Sequence, residues 1–275
     1  MECCGGKVII SHKNKYLFVE IPFTGSTAIS QELCELYEGE QILKKHSYYS
    51  DFLKNATPEE RCYFVFYGIR NPLDEAVSKY YKLAPNQRGK FTDPEKLKKR
   101  NSIDQRRKTS LYKEIKKKNL DFETFFLNNY HQPYNNWSCF ARGHCDYVIR
   151  FESLQEDFAR VLQLLGLEPK RPLPVRNSTA ERKKDFLSYY SPRLIPRAKR
   201  VFGPFMKQWG YEFPSEWGGS KITRLQQFEF EVFTLLRKVK WKHLRSIYYS
   251  ILLVFYQLYQ LINEVIPLPW KSLEI

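Results

Sequence analysis

Twice near its start the chain repeats one local plan: a short apolar run, a polar turn, then a helical stripe. Tyr16 to Ile21 is short and mostly apolar, as a strand buried on both faces would be. Pro22 to Thr27 breaks it, and Ile29, Leu33, Leu36 and Tyr37 then recur at helical spacing. Tyr63 to Ile69 reads as a second buried strand, ended by Arg70-Asn71-Pro72. Asn71 suits a helix N-cap and Pro72 the first helical position, so a helix is expected through Ser78 to about Lys82. A third strand is expected over Tyr147 to Phe151. Ser153 and Glu156 then form a capping-box pattern, Phe158, Val161, Leu162 and Leu165 a stripe, and Gly166 a stop. Strands alternating with helices predict an α/β fold, a parallel sheet with helices on both faces.

The rest of the 275 residues is placed around that plan. One α/β domain is expected over 1–217, with a basic insertion at about 88–118. An extended loop is expected at 172–178, a helix over Ser191 to Met206, and an end to the domain at Trp209-Gly210-Tyr211. After Gly218-Gly219 the character changes, and 218–275 reads as a C-terminal amphipathic helical extension. Its two helices fall within 222–265, the second with Ile247, Ile251, Val254, Phe255, Leu258, Leu261, Ile262 and Val265 on one face. That stripe suits packing on the core or a partner. Lys238, Lys240, Trp241, Lys242 and Arg245 ahead of it also resemble an interfacial anchor. The length alone would allow a span, but Tyr248, Gln257, Gln260, Asn263 and Glu264 make the other face polar.

The net charge of +15 favours anionic partners such as nucleotides, acidic glycans, nucleic acid or anionic lipid. Arg88 to Lys118 holds thirteen basic against four acidic residues. That segment is either a clamp for an anionic acceptor or a solvated helix face. With aromatics only at its ends, Phe91 and Tyr112, it lacks a stacking platform for nucleic acid. With 43% apolar residues and no low-complexity tract, the chain does not read as disordered. Of six cysteines, Cys34 and Cys62 are expected to be buried thiols. Cys139, His144 and Cys145 have irregular spacing and no second ligand pair, so no metal is expected. The cysteine usage fits a reducing compartment. Met1 to Gly6 shows no charged-then-apolar signal pattern and no N-terminal anchor. The expected location is cytoplasmic, with a peripheral membrane contact through 222–265 as the alternative.

The two turns carry the chemistry. At Pro22-Phe23-Thr24-Gly25-Ser26-Thr27, backbone amides and a helix dipole converge on one point. Gly25 allows close approach, and Thr24, Ser26 and Thr27 offer hydroxyls to phosphate or sulfate oxygens. The alternative is an ordinary capped turn. The loop is not a Walker loop, because G-x-x-x-x-G-K-[ST] is absent. At the second turn Arg70 ends a strand and Ser78 lies two helical turns on. Helical side chains lean toward the N-terminus, so a guanidinium fork and a hydroxyl can meet one phosphate. The alternative there is a structural arginine and a surface serine.

Ile21-Pro22-x-Thr24-Gly25-Ser26-Thr27 resembles the 5′-phosphosulfate loop of sulfotransferases that use 3′-phosphoadenosine 5′-phosphosulfate (PAPS). Arg70-Asn71-Pro72 followed by Ser78 resembles their 3′-phosphate site. Asp146-Tyr147-Val148-Ile149-Arg150-Phe151-Glu152-x-Leu154, and Phe202-Gly203-Pro204-Phe205 with Trp209-Gly210-Tyr211, fit bacterial, carbohydrate sulfotransferase-like members. The similarity spans about residues 8–217. It implies a P-loop-kinase-like sheet and PAPS as co-substrate. Thr24, Gly25, Ser26 and Thr27 would hold the 5′ end, and Arg70 and Ser78 the 3′-phosphate. It also implies a probe of function in one departure: the family's usual loop lysine is Phe23 here, and phenylalanine cannot offset charge on the leaving oxygen. Lys44 or Lys45 reaching in, a nucleotide-binding pseudoenzyme or scaffold, and a substitution in a normal enzyme are the competing explanations. His46 is the expected base, since related enzymes draw a histidine or glutamate from this region and imidazole titrates near neutral pH; the alternative is a solvated surface histidine. His131 and His144 are weaker candidates, and Glu20 is expected to point away. The expected function is sulfuryl transfer to a hydroxyl, on a carbohydrate. A basic polyanion-binding protein without a nucleotide site is the remaining alternative.

Overall fold

The computed structural model describes residues 8–43, 49–86, 89–98, 103–140, 145–174, 185–219 and 221–241. In chain order the regular elements are β1 (Val8–Ser11), β2 (Tyr16–Val19), α1 (Ser26–Leu36), β3 (Glu40–Gln41) and α2 (Tyr49–Phe52). Then come β4 (Phe64–Ile69), α3 (Pro72–Leu83), α4 (Pro94–Lys98), α5 (Ile103–Lys118) and α6 (Phe122–Asn129). Last are β5 (Tyr147–Arg150), α7 (Leu154–Leu164), α8 (Ile195–Trp209) and α9 (Arg224–Trp241).

The strands form one sheet in the order β3-β1-β2-β4-β5. Its functional half is parallel: Tyr16 to Val19 pair with Phe64 to Tyr67, and Phe66 to Ile69 with Tyr147 to Arg150. The other edge departs from the all-parallel expectation. Val8 to Ser11 runs antiparallel to β2, and Glu40–Gln41 antiparallel to β1. A hairpin, not a crossover, therefore opens the fold. β2 and β4 are central, and strand alternation sends side chains into two apolar layers. Leu17, Val19, Val65, Tyr67 and Ile69 face Tyr49 and Phe52 on one side. Tyr16, Phe18 and Phe66 face Ile29, Leu33, Phe158, Val161 and Leu162 on the other. A third cluster joins α3, α5, α6, α8 and α9 through Val77, Ile115, Phe126, Phe202 and Phe230.

Several local expectations have visible causes. Asn71 caps α3 by accepting from the Leu73 amide at 3.0 Å, ahead of Pro72 at the first turn. α7 ends in a left-handed Gly166 (φ 70°), and the Leu167 amide donates back to Leu162 O at 2.8 Å. The Ser153–Glu156 capping box does not form. A 3₁₀ turn over Phe151–Ser153 precedes α7, and the Ser153 hydroxyl donates to Asp157 at 3.1 Å instead. Cys34 and Cys62 are exposed, which corrects the expectation of buried thiols. Cys34 sits one residue past the Leu33 stripe of α1, and Cys62 lies in an exposed 3₁₀ turn.

The basic segment is largely helical. α5 anchors through Ile115, while Phe91 stacks on Tyr112 with centroids 5.0 Å apart. Arg106, Arg107, Lys108, Lys113 and Lys116 to Lys118 are exposed. A cleft of about 310 Å³ opens along this face, lined by Leu97, Arg106, Thr109, Ser110 and Lys113. α9 lies against α8. Phe230 is buried, the Asn135 amide donates to Thr234 Oγ1 at 2.7 Å, and Arg237 donates to Asn135 O. No helix among the described residues is long and apolar enough to cross a membrane. The second C-terminal helix expected at 247–265 lies outside the described residues.

α6 offers a test of the capping argument. The Asp121 carboxylate accepts from the Thr124 amide at 2.8 Å, and this hydrogen bond holds its pKa below the usual value. Asp121→Ala should cost about 0.5–2 kcal/mol in chemical denaturation. A depressed carboxyl stabilises above its unfolded pKa, so the difference should shrink as pH falls through the folded value. A difference that does not shrink at acidic pH would contradict a charge-assisted cap.

Candidate functional site

The three parallel strands end on one edge of the sheet, and the turns that follow them meet there. This is where ligands bind open α/β sheets in general. After β2 the chain turns through Pro22 to Gly25 with two left-handed residues, Phe23 (φ 72°) and Gly25 (φ 77°). Gly25 is the N-cap of α1. The first amides that bond back are Ala28 and Ile29, to Gly25 O at 2.9 and 3.4 Å. The amides of Ser26 and Thr27 therefore stand at the open, positive end of an eleven-residue helix. Thr27 is exposed, and Ser26 is nearly buried.

The loop's shape depends on close contacts from strand β4 and the start of helix α7. A Cβ on Gly25 would stand 2.8 Å from Leu154 Cδ2, and one on Gly68 would stand 2.8 Å from Thr24 Oγ1. Thr24 is fully buried and its hydroxyl donates to Ile21 O at 2.7 Å. In this arrangement it braces the loop from within. Gly68 escaped the sequence reading. Its signal was a glycine inside a strand, which marks close backbone approach.

Arg70 links the two turns. Its Nη1 donates to Phe23 O at 3.1 Å and its Nη2 to Ser78 Oγ at 2.8 Å. Nε donates to Asp74 Oδ2 at 2.7 Å, and Nη2 lies 2.7 Å from the same carboxylate. The guanidinium plane lies over the Phe151 ring, 3.9 Å from its centroid. Arg70 and Ser78 are 4% and 0% exposed, so the pair expected at the 3′-phosphate is brought together but deeply set. Arg70 is thus a structural brace as well as a candidate ligand.

The turn after β5 packs over both. Leu154 covers Gly25, Phe151 covers Arg70, and Glu152 accepts from the Asn71 amide at 2.7 Å and from Tyr211 OH at 2.8 Å. Burial, together with the Glu152 carboxylate, raises the Tyr211 pKa, so Tyr211 stays a neutral donor. Arg150 reaches the end of α8, donating to Trp209 O at 2.7 Å. Beside Asn71 a cleft of about 380 Å³ has Leu73, Phe186 and Phe213 in its walls. Glu212 and Glu216 also line it, so it suits an uncharged group better than a phosphate.

Phe23 itself is half-buried, and α3 sends two lysines over its ring. Lys82 Nζ lies 4.6 Å from the centroid and Lys79 Nζ 5.3 Å. Lys79 also pairs at 2.6 Å with Glu75, whose other oxygen accepts from Tyr134 OH at 2.6 Å. Desolvation lowers the Lys79 pKa, but Glu75 and Tyr130 outweigh it, and the net shift is upward. Their place on the helix expected after Pro72, with Lys82 four residues past Ser78, was the only sequence signal for these lysines. Lys44, Lys45, His46 and His144 lie outside the described residues. His131 is exposed and within hydrogen-bond distance of Asn128 O (2.8 Å) and Arg197 (3.0 Å). Glu20 accepts from Ser30 of α1. Among the described residues no group of His, Cys, Asp or Glu is placed to hold a metal ion.

A model described as the sulfotransferase family matches residues 6–208, so the chain belongs to that family. Comparison with curated proteins and with solved structures gave no match. The matched stretch holds β1 through nearly all of α8, and with them every turn of the site.

The loop yields a direct test. Gly25→Ala forces a side chain into a left-handed conformation and against Leu154. Denaturant unfolding should show a loss of about 1–2 kcal/mol. An unchanged midpoint would show that the loop does not require this conformation.

Proposed function

We propose that this chain transfers a sulfuryl group from PAPS to an acceptor hydroxyl, on a carbohydrate. The observation that carries the reading is the linkage of the two turns: the open end of α1 is tied through Arg70 to Ser78. One ligand with anionic groups at both ends would bridge them. The amides of Ser26 and Thr27, with the Thr27 hydroxyl, serve the 5′ end. Gly25 lets the ligand approach, and buried Thr24 shapes the loop. Arg70 and Ser78 serve the 3′-phosphate. The cleft beside Asn71 offers apolar walls for the base.

In the reaction, the bond from sulfur to the bridging phosphate oxygen breaks and that oxygen keeps the electron pair. Sulfur bonds to the acceptor oxygen, whose proton passes to a base. We assign that role to His46. The exposed basic face of α5 is a candidate clamp for an acidic acceptor. The sulfotransferase domain is assigned to 1–217 and the extension to 218–275, with a peripheral membrane contact as a further role for its outer face. Phe23 favours one second reading, a nucleotide-binding scaffold without turnover.

Labelled sulfate transfer from PAPS to a panel of glycans tests the activity. Binding tests the site. Arg70→Ala would leave Asp74 buried without its partner and would disturb the fold itself. Ser78→Ala is milder. It should weaken adenosine 3′,5′-bisphosphate by about 10-fold, as for one hydrogen bond to a charged group. Adenosine 5′-monophosphate should be unaffected. Equal losses for both in calorimetry would remove Ser78 from the 3′-phosphate site.

A further inference from the structure

Phe23 places an aromatic ring in the turn between β2 and α1, at the position where the donor reading expects a cation to serve a departing oxyanion. The ring brings cations to that place instead. An ammonium within about 6 Å of an aromatic centroid is attracted by the ring's negative face. Both Lys79 and Lys82 meet that distance. The backbone of Phe23 is fixed as well, because its carbonyl accepts from buried Arg70. The backbone that carries the ring is thus held by the residue that also holds Ser78.

The two lysines are not equivalent. Lys79 is bonded to Glu75, which is 2% exposed and also accepts from Tyr134, so its ammonium is held inside an acid-balanced cluster. Lys82 is nearer the ring. It also lies four residues after Ser78, so the same face of α3 presents both side chains. Helical side chains lean toward the N-terminus, which carries Lys82 back toward the strand ends.

Resting on the PAPS reading above, we propose that Lys82, seated on the Phe23 ring, is the catalytic cation for the leaving phosphate. As the bond from sulfur to the bridging oxygen breaks, that oxygen takes the electron pair, and the Lys82 ammonium donates a hydrogen bond to it. Phe23 is then a seat for the cation, and the charge missing from the loop arrives from α3.

The test compares wild type, Lys82→Met, Lys82→Gln, and Lys82→Met combined with Phe23→Lys. The first readout is affinity for adenosine 3′,5′-bisphosphate against adenosine 3′-monophosphate, which differ only at the 5′ end. The second is single-turnover release of labelled sulfate from PAPS, to a glycan or to water. Both Lys82 variants should weaken the bisphosphate by about 10-fold, as for one charge-assisted contact. The 3′-monophosphate should stay within about twofold of wild type. Sulfate release should slow by about 100-fold, the scale of one oxyanion donor, and Phe23→Lys should restore it. Unchanged bisphosphate affinity and release in both variants, or equal losses for the two nucleotides, would overturn the assignment of Lys82 while leaving the donor site standing. A wild type that binds neither nucleotide overturns the donor reading and this assignment with it.

Discussion

The buried Arg70 guanidinium is the interaction on which the site depends. It ends the central strand β4, and its donors go to three places: the Phe23 carbonyl, the Ser78 hydroxyl and the Asp74 carboxylate. An unpaired charge at such depth would be very costly, so the partners are part of the same design. Asp74 balances the charge, one helical turn away on α3. Phe151 closes the open face. The β2–α1 loop and the start of α3 are thereby one unit.

Around that unit the charge is arranged in layers. Acids stand behind the basic groups: Asp74 behind Arg70, and Glu75 behind Lys79. Both acids are nearly buried, so they hold their partners in fixed directions without offering charge to solvent. The front of the site has the helix end of α1, Thr27 and the lysines over Phe23. Such an arrangement suits a ligand of high negative charge. It also suits a reaction in which that charge moves along one bond.

Much of this was legible in the sequence, and the failures are physical. Strands buried on both faces announce themselves as apolar runs, so β2 and β4 were found within a residue or two, and the shorter apolar run of edge strand β5 was found as closely. Asn71 and Gly166 worked as punctuation because their local chemistry admits few alternatives. The hairpin strand Val8–Ser11 was missed because its apolar run is only Val8 to Ile10 between polar flanks, too short to distinguish from a loop. Glu40–Gln41 pairs through its backbone alone, and both side chains are exposed. The Ser153–Glu156 pattern failed because Asp157 claims the Ser153 hydroxyl and the Arg150 amide. Lys79 and Lys82 were overlooked because their meeting with Phe23 joins residues more than fifty positions apart.

The central claim is that the linked turns hold a nucleotide with phosphates at both its 3′ and 5′ positions. Calorimetric titration of the intact chain with adenosine 3′,5′-bisphosphate and with adenosine 5′-monophosphate tests it most directly. The account predicts one site that prefers the bisphosphate by at least about 10-fold, the worth of a charge-assisted contact at Arg70 and Ser78. Equal affinity for the two nucleotides, or no binding of either, would contradict it.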